Sequence, residues 1–251
     1  MVGSPQAAGQ QFALQNGSLF QRIVLRLRRL EQGVTPPPSL EFSAASFILP
    51  QPRMPKHETI VPIILAAGSS RALPFPKALA PFGKKTPLDI AVENCAFAPK
   101  ILVVLGADAK RIVPFVPELS QIVINRKWRA GQLSSLQAAL KQIQPGASFL
   151  LYPIDHALIT PTIVAQLVRA FRTRSASQEI VMPRHRGTDG HPVIVSARLR
   201  PEFFHAATAR EVIYRFSSRI RVLNVRTTAI LEDFDTSESY EECLAKFKRK
   251  R

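Results

Sequence analysis

The chain lacks any long hydrophobic run. Its longest apolar stretches, such as Ile60 to Ala67, fall far short of the roughly 20 residues a membrane-spanning helix needs. Cysteine is scarce as well. Cys95 and Cys243 stand far apart in sequence and form no ligand pair, so no zinc site can be assembled from them; they read as reduced thiols of a cytoplasmic protein. Acidic residues are few: 18 Asp and Glu oppose 34 Lys and Arg, for a net charge of +16. Such a surface concentrates anions, among them nucleotides and phosphorylated small molecules. No nucleic-acid-binding module is recognisable and aromatics do not interleave with the basic residues, so no nucleic-acid partner is expected. What remains is a globular composition, 46% hydrophobic and 21% charged over 251 residues, enough for one large α/β domain or two small ones.

Residues 1–53 differ from the rest. They hold six of the 21 prolines, including Pro36-Pro37-Pro38, and are rich in Gln, Ser and Ala. Within them Phe20, Ile23, Val24, Leu27 and Leu30 recur at helical spacing, with Arg22, Arg26, Arg28 and Arg29 between. An arginine-rich, acid-poor helix suits a targeting or membrane-surface segment. The plainer readings, which are favoured, are a helix docked on the domain or an extension that is not translated if synthesis starts at Met54. The expectation is an extension over 1–53, flexible or loosely docked, and a single domain over 54–251.

From Met54 onward strands alternate with helices. The apolar runs predict strands at 59–65, 101–105, 121–125, 148–152, 179–182, 192–196 and 221–226, and helices at 87–97, 132–143, 161–173, 199–209 and 237–247. Thr86-Pro87 and Thr160-Pro161 each supply a capping hydroxyl followed by proline at the first helical position. Leu88, Ala91, Val92 and Cys95 then share one face, as do Ile163, Val164, Leu167, Val168 and Phe171. This order predicts a Rossmann-like α/β sandwich of three layers around a mostly parallel sheet, with ligands at the carboxyl ends of the strands.

The strand ending at Leu65 runs into Ala66-Ala67-Gly68-Ser69-Ser70-Arg71, and Lys77 follows nine residues after the glycine. Small residues let backbone N–H groups approach a ligand, and a lysine at the far end of the loop supplies a point charge for a phosphate oxygen. With no Gly-Lys-Ser/Thr the loop is not a Walker motif, and with one glycine it is not a dinucleotide fingerprint. An ordinary strand-to-loop turn with a chance lysine fits the same letters.

Further groups fall at predicted strand ends. Leu150 to Asp155 is an apolar strand closing on a carboxylate, suited to Mg²⁺ beside a triphosphate or to a plain turn. Leu231-Glu232-Asp233-Phe234-Asp235-Thr236 sets three acids before a helix, where a solvated flank capped by Thr236 or Ser237 is the simpler reading. Asn125 to Ser135 links a strand to a helix through Gly131, which a glycine turn and a capping serine would also explain. Gly190-His191-Pro192 places a histidine in a tight turn; with Arg184 and Arg186 nearby it suits a phosphate pocket or a proton shuttle. His156 and His205 read as structural.

Taken in order, these segments resemble the MobA-like nucleotidyltransferases. Leu65, Ala66, Ala67, Gly68, Ser70, Pro76 and Lys77 fall on that family's signature Leu-Ala-Ala/Gly-Gly-x-Ser-x-Arg-Met-Gly-x-Pro-Lys without a gap. The family's Arg-Met-Gly falls on Ala72, Leu73 and Pro74, and Arg71 stands one place early. The segment around Asp155 is similar to the family's Pro-x-Asp-x-Pro block. Asp233, Asp235, Thr236 and Tyr240 follow its closing Asp-Ile-Asp-Thr-Pro-x-Asp-Tyr, and Gly131 and Ser135 its middle block. Gly190-His191-Pro192 resembles the segment of the cytidylyltransferase branch that faces the second substrate. The five blocks cover residues 60 to 241.

The resemblance implies a nucleotide-diphospho-sugar transferase-like fold and transfer of a nucleotidyl group, CMP from CTP favoured, to a phosphorylated acceptor such as molybdopterin, with release of pyrophosphate. It implies catalytic Lys77 and Asp155, and Mg²⁺ on Asp155 and Asp235. The nucleotide would lie on Leu65, Ala66, Ala67, Gly68, Ser70, Arg71, Lys77, Asn125 and Ser135, and the acceptor on Gly190, His191 and Pro192. A sugar phosphate is the near alternative as acceptor. A nucleotide-binding protein without turnover is the alternative of another class, motivated by Ala72 and Pro74.

Overall fold

The computed structural model describes residues 58–249. The extension over 1–53, its amphipathic stretch and Met54 lie outside the described residues. The elements, in order, are β1 Ile60–Ala66, α1 Pro87–Asn94, β2 Ile101–Leu105, α2 Ala109–Ile112, β3 Ser120–Ile124, α3 Gln132–Leu140, β4 Ser148–Pro153, α4 Pro161–Arg172, β5 Ile180–His185, β6 Thr188–Asp189, β7 Val193–Val195, α5 Ala209–Arg215, β8 Ile220–Asn224 and α6 Ser237–Arg249.

One sheet runs in the order β3-β2-β1-β4-β7-β5-β6, with β8 also paired to β5. The pairs β1–β2, β1–β4, β2–β3 and β5–β8 are parallel. The strand expected near 192–196 is antiparallel to both neighbours, because the hairpin through β6 returns the chain without a crossover. Along β1 successive side chains alternate between two cores. Ile60, Ile64 and Ala66 join the α1, α4 and α6 side, whereas Val61, Ile63 and Leu65 join the α3 and α5 side. A strand buried on both faces accounts for the unbroken β-branched run in the sequence.

The predicted helix starts hold. Thr86 and Asp89 form a reciprocal capping box, with Asp89 N–H donating to Thr86 Oγ1 at 3.2 Å and Thr86 N–H donating to Asp89 Oδ2 at 2.8 Å. Thr160 Oγ1 accepts from Ile163 N–H at 3.5 Å. The helix expected over 199–209 is not formed. Leu199 and Phe203 are buried as their spacing suggests, but Pro201 has no N–H to donate, and Ala197–Phe204 winds as a 3₁₀-helix instead. Thr208 then caps α5, accepting from Glu211 N–H at 3.0 Å.

From β1 the chain goes to β2 on one side and later to β4 on the other. This reversal opens a crevice at the carboxyl ends of β1 and β4, where ligands of open α/β sheets bind.

Candidate active site

Leu65 pairs with Pro153 across β1 and β4, and Ile154 N–H donates to Leu65 O at 3.2 Å. This register brings the loop after β1 against Asp155. Between them lies a cavity of about 330 Å³, lined by Leu65 to Ser70, Lys77, Trp128, Arg129, Gln132, Ser135 and Asp155. Gly106 sits where β2 ends. A Cβ there would come within 2.5 Å of Ala67 O and 2.6 Å of Trp128 Cβ, so only glycine lets the loop and the Trp128 turn close together.

The loop from Ser70 to Lys77 is pinned. Lys77 N–H donates to Ser70 Oγ at 2.8 Å, and Leu73 N–H donates to Ser70 O at 3.2 Å. Leu73 is buried, and the Phe75 ring stands edge-on to Tyr240 at 5.2 Å. A one-residue slip would pull Leu73 out of the core. Arg71, expected to touch the nucleotide, is exposed and is not among the residues that line the cavity.

Lys77 Nζ lies 3.5 Å from Asp155 Oδ2 and donates to Asp235 Oδ1. The expected pair of carboxylates is thus brought to a single ammonium group. Asp235 belongs to the turn before α6, where Asp235 N–H and Thr236 N–H both donate to Ser239 Oγ at 3.0 Å and Thr236 caps the helix through Ser239 N–H at 3.3 Å. Its side chain is 71% exposed, against 25% for Asp155. Burial pushes the Asp155 carboxyl above its ordinary value; Lys77 pulls it down, and Asp235 pushes it further up. Asp233 is raised by burial and by the same two aspartates.

Asp155 Oδ1 is buried and has no hydrogen-bond partner. An orphaned carboxylate oxygen beside an exposed second carboxylate fits a hard divalent cation, which takes oxygen donors. Among the described residues no group of three or more His, Cys, Asp or Glu side chains is placed to hold a metal. Two carboxylates would leave coordination to waters and substrate phosphates, as Mg²⁺ prefers.

The other expected residues divide. Ser135 lines the cavity. Asn125 does not. Its side chain donates to Ser134 Oγ and Ser135 Oγ, each at 2.9 Å, and accepts from Lys127 N–H at 2.9 Å, so it shapes the Trp128 turn from behind. Gly190 and His191 line two neighbouring hollows at the same end of the sheet, whereas Pro192 is buried and lines neither. Gly190 is held by the backbone of the Thr228–Ile230 turn, since a Cβ would come within 2.4 Å of Ile230 O. The His191 and His156 rings are 5.0 Å apart. Burial lowers both imidazoles to about 4, so both are neutral near pH 7. The phosphate pocket expected from Arg184 and Arg186 is not formed. Arg184 Nε donates to Asp189 Oδ1 at 2.5 Å, and Arg186 is exposed at the hairpin turn with φ 47°.

Sequence reasoning missed Gln132, which borders all three hollows, and Gly106 and Arg210. Gln132 lies directly after Gly131, and its position at the start of a helix facing a strand end was the available signal.

No curated protein matches the chain in sequence. Several solved structures share its fold. The Rv0371c homologue from Mycobacterium sp. strain JC1 is 26% identical with a TM-score of 0.64, over 76% of this chain and 98% of that one. Rv0371c of Mycobacterium tuberculosis in complex with manganese is 22% identical at 0.62, over 74% and 98%. Molybdopterin-guanine dinucleotide biosynthesis protein A of Archaeoglobus fulgidus is 13% identical at 0.55, over 76% and 100%. The MobA-like NTP transferase domain family matches residues 62–221, a span that holds the glycine loop, Lys77, Asp155 and the Gly190-His191 turn. The chain therefore belongs to the MobA-like NTP transferase family.

Proposed function

We propose that the chain is a Mg²⁺-dependent nucleotidyltransferase that moves CMP from CTP to a phosphorylated acceptor such as molybdopterin and releases pyrophosphate. The carrying observation is Lys77, which lines the cavity with Leu65 to Ser70 and Asp155 and pairs with both Asp155 and Asp235. The N–H groups of that loop orient the phosphates and Lys77 neutralises their charge. Asp155 and Asp235 would hold the divalent cation, which supplies charge stabilisation at the transferred phosphoryl group. The manganese complex of the Mycobacterium tuberculosis relative supports a divalent ion in this role. An acceptor phosphate oxygen attacks the α-phosphorus, and the bond to the bridging oxygen breaks as pyrophosphate leaves. No side-chain nucleophile is required, because positioning and charge stabilisation lower the barrier.

CTP is favoured over GTP by Ala66-Ala67-Gly68 together with Gly190-His191-Pro192, the letters of the cytidylyltransferase branch. A second reading, nucleotide binding without turnover, is favoured by the exposed Arg71 and by Ala72 and Pro74 in its loop. Pyrophosphate release with CTP, GTP and ATP against molybdopterin and sugar phosphates separates the two. Release with CTP and one acceptor is expected. Inactivity with every pair, in the wild type and in an Ala72→Arg, Pro74→Gly variant that restores the family loop, would overturn the transferase reading.

A further inference from the structure

Three adjoining hollows follow the carboxyl ends of the strands. The middle one, about 390 Å³, is bordered by both Asp155 and Arg210. The outer one, about 270 Å³, has apolar walls of Leu151, Met182, Val193 and Ile213, and it also takes in Arg210. Among the described residues Arg210 is the one Lys or Arg that lines either of these two hollows.

Arg210 has no ion pair among the described residues, although Asp155, Asp189 and Asp233 line the same hollows. Asp189 is taken by Arg184 Nε at 2.5 Å and by the Tyr214 hydroxyl at 3.1 Å. Glu211 accepts from Ala207 N–H at 2.9 Å and pairs with Arg215, which also meets Glu202 at 3.5 Å. Asp155 and Asp233 border the middle hollow, but Asp155 is paired with Lys77 and neither is paired with Arg210. The Arg210 guanidinium instead stands 5.0 Å over the Tyr214 ring. That ring is fixed by its hydroxyl on Asp189, which Arg184 holds in turn. A guanidinium on an aromatic platform keeps its N–H donors for a planar or tetrahedral anion.

We propose that Arg210 binds the phosphate of the acceptor, with Arg184, Asp189 and Tyr214 acting as positioning residues that fix its platform. The inference rests on the transfer reading above and names the class of acceptor: a phosphomonoester whose remaining part enters the outer hollow with an apolar face toward Met182 and Val193. Its phosphate lies in the middle hollow, which Asp155 shares with the nucleotide cavity. Near neutral pH the second phosphate proton has largely left, so its oxygen attacks the α-phosphorus without a base to remove a proton. One P–O bond forms, the α–β bridging P–O bond breaks, and the electron pair departs with pyrophosphate.

The test is a titration of the CTP- and Mg²⁺-loaded full chain with glycerol 3-phosphate, inorganic phosphate and acetate, followed by ³¹P line broadening and calorimetry. In parallel, CTP affinity is read from the fluorescence of Trp128, the sole tryptophan. Both phosphates should bind the wild type more tightly than acetate does. Arg210→Ala should weaken them by about tenfold or more, Arg210→Lys and Tyr214→Phe by less, with CTP affinity within about twofold throughout. Equal phosphate affinity in the wild type and Arg210→Ala, no phosphate binding to the wild type, or acetate binding as tightly as phosphate would each overturn the inference. Absence of CTP binding would instead overturn the transfer reading, and the same phosphate titration on nucleotide-free protein would still decide the role of Arg210.

Discussion

Lys77 is held from both ends. Its backbone N–H is fixed on Ser70 Oγ, and its ammonium meets Asp155 and Asp235. A lysine so placed presents one charge at one point, which suits a phosphate oxygen and tolerates little displacement. Losing a charge-assisted hydrogen bond costs roughly 1.5–3 kcal/mol. Lys77→Ala should therefore weaken CTP binding by about ten- to a hundredfold, as measured by Trp128 fluorescence, with an unchanged melting temperature. Affinity equal to the wild type would remove Lys77 from the site. At this scale the sequence exposed the residues that end strands, Lys77 and Asp155 among them, because an apolar run closing on a polar side chain points to the crevice. It hid the direction of Arg71 and Asn125. Whether Arg71 faces the cavity depends on Leu73 entering the core, and whether Asn125 faces it depends on the two serines that take up its amide. Arg210 was hidden for a further reason: its role depends on which neighbouring acids other arginines already occupy.

The elements are locked at the opposite end of the sheet by a polar cluster. Glu58, just before β1, pairs with Arg174 beyond α4 and accepts from Ser148 of β4. Burial alone would raise the Glu58 carboxyl, but the bonds from Ser148 and Arg174 and the Ala197 N–H more than offset it and hold the carboxyl below its ordinary 4.5. A carboxyl lowered by folding adds stability that is present above its unfolded value and is lost as pH falls through its folded value. Glu58→Gln should thus melt about 2–4 °C lower at pH 7, corresponding to about 1 kcal/mol. The difference should shrink below pH 4.5, and thermal melts at pH 7, 5 and 3.5 would check it; a difference independent of pH would contradict the electrostatic account. Strands and capped helices were legible because burial on two faces and capping hydroxyls are written locally. The helix expected over 199–209 is not formed because Pro201 overrides the helical spacing that Leu199 and Phe203 carry. The antiparallel β7 was not legible either, since a strand's direction depends on the connection that returns it.

The described domain is organised by the reversal of strand order at β1, which joins the glycine loop to Asp155 across adjacent strands and opens the crevice toward Gly190 and Arg210. Residues 58–249 hold the two cores and the crevice groups described above. Among these residues no helix is long and apolar enough to cross a membrane. A chain beginning at Met54 retains all of them, Glu58 included. We expect it to match the full chain in melting temperature and CTP affinity; a large loss of either would make residues 1–53 part of the domain. If a nucleoside triphosphate is held through a divalent cation on Asp155, its affinity depends on Mg²⁺ and on that carboxylate together. CTP is titrated into the wild type and Asp155→Ala, with and without Mg²⁺, following Trp128 fluorescence. Mg²⁺ should tighten CTP binding to the wild type and have no effect on the variant, whose fold is unchanged. Equal Mg²⁺ dependence in the two proteins would contradict it and leave Asp155 as a turn residue.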